Sequence, residues 1–375
     1  MKIERGRSTM AGKFVFKKFA DIDILDLFFD SLKKDYPGND NSTGFSEWFK
    51  AKADRTALVF EDEEGIAAFI ALKKEDEEIK LLNNNLEKAC RIKVSTIKIS
   101  ERHRGQRYGE GAIGLMLWYW QKSKINEIYV TVFEKHKGLI TELEKFGFFN
   151  VGKNLNGENV YIKDRRDINY NNPYCSFPFI KSGFDFSGYI LINANYHDNM
   201  FAYSDLKNKT NLDLKVGNSV RNGLSKIYIG KAPNIDYKIG EPVLIYRIDE
   251  NNNPGKKYRS CITSYAVVTG IMQPKRNGKI IIPFDELIEQ IGNKSVFDEI
   301  ELKKKYNDYY NVTVIELLYY GYFGAGHNVN LDWLERNGYW TRMSNQYPTS
   351  VHLTEEQFKS ILMEGDVDVS NVIIN

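Results

Sequence analysis

The residues most able to do chemistry form one short stretch, Arg104–Gly111, which is rich in glycine and basic residues. It follows a β-like run, Arg91–Ser100, and precedes an apolar helical run, Ala112–Trp120. The first N–H groups of a helix have no acceptor within the helix, and the helix dipole adds partial positive charge there. Glycine lets the backbone come close to a bound group, and arginine adds charge. The stretch predicts an anion site, with a helix-capping turn as the alternative.

A second group of candidate residues follows the predicted helix. The run Glu127–Phe133 is rich in β-branched and aromatic residues, which is typical of a strand. Side chains alternate between the two faces of a strand, so Tyr129, Thr131 and Phe133 share one face. A further helical run ends at Leu143–Phe148. The pattern therefore predicts a second strand and helix after the anion site.

This order of elements, with the loop Gln106-x-x-Gly109-x-Gly111 between a strand and a helix, resembles the GNAT superfamily of N-acetyltransferases. The helix that ends in Gly147-Phe148 adds to the resemblance, which covers Lys13–Lys163. It implies a mixed sheet flanked by helices that binds acetyl-CoA as acyl donor without a metal. A second register, Arg104-x-x-Arg107-x-Gly109, also fits the loop, and both registers place the same amides under a pyrophosphate.

The resemblance also implies where the cofactor lies. In this superfamily the pantetheine pairs with the strand before the loop, here Thr96–Ile99, and a backbone N–H there faces the thioester oxygen. The implied cofactor-binding residues are Ile97, Lys98, Ile99, Arg104, Gly105, Gln106, Arg107, Tyr108, Gly109, Glu110, Gly111 and Phe133.

Acetyl transfer needs a proton donor for the departing thiolate. In the superfamily a tyrosine of the last helix often has this role, and counting back from Gly147 puts Leu143 at that position. Leucine cannot donate a proton, so the usual acid is absent. Thr131 or Tyr129 is the expected donor to the sulfur.

The acceptor amine must also lose a proton, and a lysine ammonium has a pKa of about 10.4. His136, at the start of the last helix, is a candidate base, with a solvent-facing helix-start residue as the alternative. Glu101 and Glu134 are the carboxylates nearest the site in sequence. A base that acts through water, or orientation of the reactants alone, remains open.

Composition limits the class of protein. The chain has 375 residues and a net charge of +2, so two domains are expected and any basic patch must be local. Three scattered cysteines without CxxC spacing argue against a disulfide framework or a zinc site and suit a reducing cytosol. The sequence has neither an apolar signal core nor a membrane-spanning apolar run. We expect a soluble, cytoplasmic protein with no membrane partner.

We expect an α/β (α+β) fold in three parts. Residues 1–165 form the acetyltransferase-like domain, and the polar, proline-broken residues 166–216 form a linker and connecting segment. Residues 217–375 contain many short strands and a few helices, which is typical of a small closed β-barrel.

Three pieces of the last part resemble the PUA-like superfamily, in particular its ASCH and EVE domains. They are Gly217–Arg221, Lys238–Arg247 and Tyr347–Thr354, and Glu241 replaces an aspartate of the family pattern. The resemblance implies a pocket for a base or modified nucleotide of RNA or DNA. The implied nucleic-acid-binding residues are Arg221, Lys226, Tyr246, Arg247, Lys256 and Lys257. Ordinary surface roles are the alternative, because lysine and tyrosine are common throughout the chain.

Three functions fit these patterns. The preferred one is acetyl-CoA-dependent N-acetylation of an amine on RNA, a nucleotide or a nucleic-acid-bound protein, with the PUA-like domain bringing the enzyme to nucleic acid. The second is an acyl-CoA-binding regulator of a nucleic-acid-binding module. The third is a protein or small-molecule acetyltransferase whose second domain serves only for assembly.

Overall fold

The structure is a computed structural model that describes residues 14–38, 43–207, 219–232, 236–249, 256–340 and 351–374, with the backbone alone at 256 and 257. Two compact units divide the chain, one of residues 1–144 and 148–167, the other of residues 145–147 and 168–375. In the described part of the chain, no helix is long and apolar enough to cross a membrane.

The first unit contains a seven-stranded sheet in the order β1-β2-β3-β4-β5-β7-β6. Its strands are β1 (Val15–Lys18), β2 (Thr56–Asp62), β3 (Gly65–Ile79), β4 (Leu86–Ile99), β5 (Glu127–Val132), β6 (Phe149–Lys153) and β7 (Asn159–Asp164). Its helices are α1 (Asp30–Asp35), α2 (Phe45–Lys50), α3 (Tyr108–Ser123) and α4 (Lys137–Lys145). All neighbouring strands are antiparallel except β4 and β5, which run parallel because α3 connects them.

Aromatic side chains fix α1 and α2 on one face of this sheet. Phe29, just before α1, and Phe49 of α2 pack on Phe69 of β3, and Phe45 of α2 packs on Phe29 and Phe49. All four are buried. Burial of each such side chain contributes about 1.5–3 kcal/mol. The two short helices are therefore held by packing on the sheet.

The second unit contains a sheet in the order β10-β14-β12-β11-β9, with β13 and β15 paired to β12, and a two-stranded sheet of β8 and β16. Its strands are β8 (Ile180–Lys181), β9 (Tyr189–Asn193), β10 (Ser225–Gly230), β11 (Pro242–Ile248), β12 (Cys261–Arg276), β13 (Lys279–Ile280), β14 (Val312–Tyr322), β15 (Val329–Asn330) and β16 (Ile373–Ile374). Its helices are α5 (Pro173–Ser176), α6 (Ala194–Met200), α7 (Ser219–Asn222), α8 (Lys256–Arg259), α9 (Phe284–Ile291), α10 (Glu299–Asp308), α11 (Leu331–Arg336), α12 (Glu355–Glu364) and α13 (Val369–Val372).

Irregular pairing curls this second sheet into a half-barrel. The long strand β12 changes register against β14 at three places, and such bulges bend and twist a strand. The expected fold class is confirmed: a mixed α/β chain with a mixed sheet in its first half, a curled sheet in its second half, and flanking helices. Among the described residues β10 and β9 end the pairing path, so the curled sheet stays open between them.

The segment predicted as a connection, residues 166–216, contributes to this sheet. Its apolar run Tyr189–Asn193 forms β9, which pairs in parallel with β11 from Tyr189 opposite Leu244. Tyr189, Ile190 and Ile192 are buried there. The expected domain boundaries at 165 and 217 stay a prediction.

Candidate active site

A gap between two parallel strands organises the first unit. β4 and β5 pair only as far as Val94 and Val130. Beyond that point β4 follows β3 to Ile99, while β5 follows β7 to Val132. A β-bulge at Ser95, where β4 changes register against β3, turns the strand at the point of separation. The two strands therefore diverge and leave a wedge between their ends.

The predicted cofactor residues Ile97, Lys98 and Ile99 form the β4 side of this gap. All three are half-buried, and the Lys98 ammonium donates to the carbonyl of Phe28 and to Ser31 Oγ, the latter at 2.6 Å. The hydroxyl of Ser95 is buried and has no hydrogen-bond partner among the described residues. A polar ligand in the gap could meet that hydroxyl.

The glycine-rich loop turns the chain from β4 into α3. Gly105 and Arg107 have φ angles of 80° and 63°, in the left-handed region that glycine favours. The first helical hydrogen bond of α3 joins the Gly111 N–H to the Arg107 carbonyl at 3.3 Å. A side chain added at Gly105 or Gly109 would meet nothing within 4 Å. The amino end of α3 therefore opens to space that a bound anion can fill.

Three residues that sequence reasoning missed, Asp62, Arg102 and His103, hold this loop in place. His103 Nε2 lies 2.6 Å from Asp62 Oδ2, and His103 Nδ1 lies 3.1 Å from Gln106 Oε1. Arg102 donates to the same Asp62 carboxylate at 2.6 Å. Burial raises the pKa of Asp62, but hydrogen bonds from Glu64 N–H and His103 and the charge of Arg102 outweigh it and lower that pKa below its usual value. The pair is 41 residues apart in sequence, which hides it from a motif search.

The loop side chains differ in their exposure. Arg104 is exposed and has a weak ion pair with exposed Glu101 at 3.6 Å, so its charge can reach a phosphate. Arg107 is half-buried and donates to buried Glu110 at 2.5 Å. The Tyr108 ring packs on His103, with centroids 4.8 Å apart. Arg107 and Glu110 therefore stabilise the first turn of α3, and Arg104 is the cation of the loop surface.

The predicted catalytic side chains Tyr129 and Thr131 lie on the face that carries α1 and α2. Tyr129 is opposite Lys93 on β4, and Lys93 is opposite Lys73 on β3. Lys73 shares its face with Phe69, on which α1 and α2 pack. Thr131, two residues beyond Tyr129, is on the same face and just past the point where the strands separate.

Tyr129 is part of a buried polar cluster before the gap. Its hydroxyl donates to Glu75, a buried carboxylate that also pairs with Lys73. Burial raises the pKa of Glu75, but the hydrogen bonds of Lys73 and Tyr129 outweigh it and lower that pKa below its usual value. Burial, together with Glu75, raises the pKa of Tyr129. Burial also lowers the pKa of Lys93, whose ammonium lies 5.3 Å from the Tyr129 ring centre.

Thr131 belongs to a second cluster of half-buried side chains around the buried Glu158. The Thr131 hydroxyl donates to Glu158 Oε1 at 3.2 Å, and the Tyr36 hydroxyl donates to the same oxygen at 2.6 Å. Asn154 Nδ2 donates to Glu158 Oε2 at 2.9 Å. Burial, followed by the hydrogen bond to Glu158, raises the pKa of Tyr36, so this phenol stays protonated. Sequence reasoning missed Glu158 because its partners come from distant segments.

The cofactor candidate Phe133 lies beside this second cluster. Its ring packs on the Tyr36 ring, with centroids 5.6 Å apart. Leu143, at the position of the usual tyrosine, is fully buried in α4. The Phe133 ring therefore lies next to the Glu158 cluster through its contact with Tyr36.

The other two predicted catalytic residues are exposed. His136 Nε2 lies 3.4 Å from Asp35 Oδ2. Glu134 pairs with Lys153 at 3.1 Å and lines a shallow cleft of about 530 Å³ together with Asn159. Because Asn159 is opposite Val132, this cleft opens on the face opposite Thr131. The structure does not bring Glu134 together with Thr131.

Four predicted nucleic-acid-binding residues of the second unit are buried. Arg247 donates from Nε and Nη2 to the two oxygens of Asp198, both at 3.0 Å. Arg221 donates to the Asp198 carbonyl, and the Lys226 ammonium donates to the carbonyls of Val220 and Gly223, the latter at 2.5 Å. These three cations form hydrogen bonds inside the second unit, and their residues are buried.

The aromatic candidate Tyr246 is also internal. It is fully buried and stacks on Trp340, with ring centroids 4.4 Å apart. The side chains of Lys256 and Lys257 lie outside the described residues. Within the described ranges, no cluster of three or more His, Cys, Asp or Glu side chains is placed to hold a metal ion.

Comparison with known proteins identifies a family for most of the first unit. Residues 24–148 match the family model of the Acetyltransferase (GNAT) family. The chain therefore carries a GNAT acetyltransferase domain over roughly a third of its length. No curated protein matches the chain in sequence.

The solved structures that match this chain resemble it only weakly. Arabidopsis thaliana NAA60 in complex with acetyl-CoA is 14% identical, with a TM-score of 0.28 over 40% of this chain and 99% of that chain. ASCH from Zymomonas mobilis is 16% identical, with a TM-score of 0.27 over 38% of this chain and 82% of that chain. An acetyltransferase of the GNAT family from Streptococcus agalactiae is 23% identical, with a TM-score of 0.23 over 30% of this chain and 66% of that chain. At such TM-scores these likenesses carry no argument about this chain.

Proposed function

We propose that this protein transfers the acetyl group of acetyl-CoA to an amine, and that the acceptor is carried on RNA, a nucleotide or a nucleic-acid-bound protein. One observation carries the first half of this proposal. The gap that opens past Val94 and Val130 lies in the region matched by the GNAT family model, and the loop that follows β4 leads into the amino end of α3.

The cofactor fits the groups that surround this gap. The pyrophosphate of acetyl-CoA would lie on the amides at the start of α3, beside Gly109 and the exposed Arg104. The pantetheine would lie along the β4 edge from Thr96 to Ile99, next to the Ser95 hydroxyl. A backbone N–H of that edge would polarise the thioester carbonyl.

The reacting groups on the protein side are those on the α1 and α2 face. Thr131 is closest to the separation of the strands and can donate to the departing sulfur. Tyr129 already donates to Glu75 and would orient the acceptor side. His136 is a candidate base only through water, because it is exposed and near Asp35.

The second unit would bring the enzyme to nucleic acid. Because Arg221, Lys226, Tyr246 and Arg247 are buried, we expect such contacts to come from other residues. Tyr258 and Lys231 are exposed, and Arg259 is partly exposed while paired with Asp249 at 2.6 Å. Tyr258 would offer a stacking face, and Lys231, Arg259 and the lysines at 256 and 257 would offer phosphate contacts.

The test measures release of CoA and acetylated product from the full chain. Acceptors are a short RNA, nucleotides, lysine-containing peptides and polyamines, each with acetyl-CoA. Acetylation of at least one acceptor is the expected result. Binding of acetyl-CoA without turnover on any acceptor would favour the regulator instead.

A further inference from the structure

The turn between β2 and β3 contacts the start of the cofactor loop through one carboxylate. Asp62, the last residue of β2, uses both of its oxygens. Oδ2 lies 2.6 Å from His103 Nε2, while Oδ1 accepts from the Arg102 guanidinium at 2.6 Å and from Glu64 N–H at 2.9 Å. The same guanidinium donates to the Gly65 carbonyl at 3.2 Å. The turn therefore holds the two residues that lead into the loop.

His103 connects this turn to the loop itself. Its Nδ1 lies 3.1 Å from Gln106 Oε1, so the largely buried imidazole bridges Asp62 and the first residue of the loop pattern. Its ring packs against Phe60 and Tyr108, with centroid distances of 6.2 and 4.8 Å. Because Tyr108 is the first residue of α3, the imidazole contacts both the loop and the start of the helix.

The same turn also supports the strand that precedes the loop. Asp26 Oδ2 accepts from Ile66 N–H, just after the turn, at 3.3 Å, and Asp26 Oδ1 accepts from Phe28 N–H at 2.8 Å. The Phe28 carbonyl accepts from the Lys98 ammonium of β4. The segment from Lys98 to the loop is therefore held at both ends by contacts that lead back to one turn.

We propose that Asp62 is a positioning residue for acetyl-CoA, and that it acts through His103 to hold the loop amides where the pyrophosphate is proposed to lie. This inference rests on the proposed acetyl transfer and concerns the binding of its cofactor. Backbone N–H groups bind an anion best when they are already arranged to point at it together. Gly105 and Gly109 adjoin open space, so the shape of the loop depends on contacts such as that of His103 with Asp62.

Removal of the Asp62 charge separates positioning from simple electrostatics. The pKa of Asp62 lies below its usual value, so the group is an anion at neutral pH. Acetyl-CoA is also an anion, and charge alone predicts that it binds more tightly once Asp62 is neutral. Positioning predicts the opposite, because His103 and Arg102 lose their charged acceptor and the loop loses its support. The direction of the change in affinity therefore decides between the two.

Isothermal titration of acetyl-CoA into variants of the full chain measures that direction. Asp62→Asn keeps the size of the side chain and should raise Kd by about 10-fold, the effect of one hydrogen bond to a charged group. His103→Phe keeps an aromatic ring beside Phe60 but has neither ring nitrogen, and should raise Kd by a similar factor. The double variant should bind about as weakly as the weaker single variant, because both changes break one connection.

Glu63→Gln is the matched control. It removes a negative charge from the neighbouring, exposed position of the turn, and its Kd should stay within about twofold of wild type. Kinetics with an accepted amine should show a raised KM for acetyl-CoA in Asp62→Asn and His103→Phe, while kcat changes by less than about threefold. The Tm of the ligand-free variants records any loss of stability separately. If one of the two variants does not fold, the other decides.

The outcomes are distinct. Weaker binding in both Asp62→Asn and His103→Phe, with Glu63→Gln close to wild type, supports the positioning role. Unchanged or tighter binding in Asp62→Asn overturns it and leaves the proposed acetyl transfer standing, even where the Tm falls, because the contact then serves only the fold. Weaker binding in Asp62→Asn alone overturns the connection through His103, and equally weak binding in Glu63→Gln overturns the specific role of Asp62. Wild type that does not bind acetyl-CoA overturns both proposals.

Discussion

Asp198 and Arg247 form a bidentate ion pair inside the second unit, with both hydrogen bonds at 3.0 Å. The same Asp198 carboxylate lies 2.9 Å from His197 Nδ1, and His197 Nε2 lies 2.7 Å from Thr263 Oγ1. His197 and Thr263 are fully buried. The pair therefore joins α6, β11 and β12 through one hydrogen-bonded network.

The first prediction follows from this network. Asp198→Asn leaves the Arg247 guanidinium buried without its counter-charge, so unfolding free energy should fall by about 3–5 kcal/mol. Calorimetry of the full chain should show a lower Tm for one transition only. Asp185→Asn is the matched control, because its ion pair with Lys238 is exposed, and its effect should stay within about 0.5 kcal/mol. Equal stability of the two variants would contradict the role of the pair.

The same carboxylate predicts a dependence on acid pH. Burial raises the pKa of Asp198, but hydrogen bonds and charge from His197 and Arg247 outweigh it and lower that pKa well below its usual value. A lowered folded-state pKa contributes stability that is fully present above the unfolded-state pKa of about 3.9. This stability is lost as pH falls from there towards the lowered folded-state pKa. The stability difference between wild type and Asp198→Asn should thus be constant from about pH 6 to 8 and shrink below about pH 4. Urea unfolding at each pH measures it.

These contacts show why the sequence predicted the first unit better than the second. The loop around Gly109 and its helix are local in sequence, and their backbone geometry follows from residue types alone. Arg247 has the residue type of a phosphate contact, yet its partner Asp198 is 49 residues away. Only the fold reveals that the charge is internal.

The same reason explains why the sequence did not predict that Glu158 lies beside Thr131. Glu134 and His136 are near the gap in sequence, but the structure leaves both exposed and places Glu134 on a cleft of the opposite face. Glu158 reaches Thr131 because β7 pairs with β5, and it reaches Tyr36 across 122 residues. Strand pairing of this kind cannot be read from spacing along the chain.

The third prediction concerns the cofactor loop. A side chain at position 109 has open space, so Gly109→Asn and Gly109→Asp should both fold. The aspartate adds negative charge at the amino end of α3, where a phosphate would bind, and should abolish the rise in Tm that acetyl-CoA causes. The asparagine has the same shape without charge and should keep part of that rise. An undiminished rise in Gly109→Asp would remove the loop from the cofactor site.

The fourth prediction concerns Ser95 at the point where β4 turns away from β5. A buried hydroxyl without a partner costs stability, so Ser95→Ala should leave the Tm of the ligand-free protein unchanged or higher. If the hydroxyl bonds to the pantetheine or thioester, the same variant should lower acetyl-CoA affinity by about 5- to 10-fold, the cost of one hydrogen bond. Isothermal titration of acetyl-CoA into the wild type and into Ser95→Ala measures this difference in affinity. Unchanged affinity would make the hydroxyl a feature of the bulge alone.

The last prediction decides whether the second unit binds nucleic acid or serves assembly. Contacts from lysine and arginine release counterions, so binding of the full chain to RNA or DNA should weaken steeply as salt rises. Tyr258→Ala removes an exposed stacking face and should weaken binding to single strands by about 1–3 kcal/mol at every salt concentration. Lys256→Ala with Lys257→Ala should instead flatten the salt dependence. Tyr310→Ala, at another exposed aromatic of this unit, is the control and should change neither quantity. A wild-type chain that binds neither single nor double strands at low salt would exclude recruitment and leave assembly as the role of the unit.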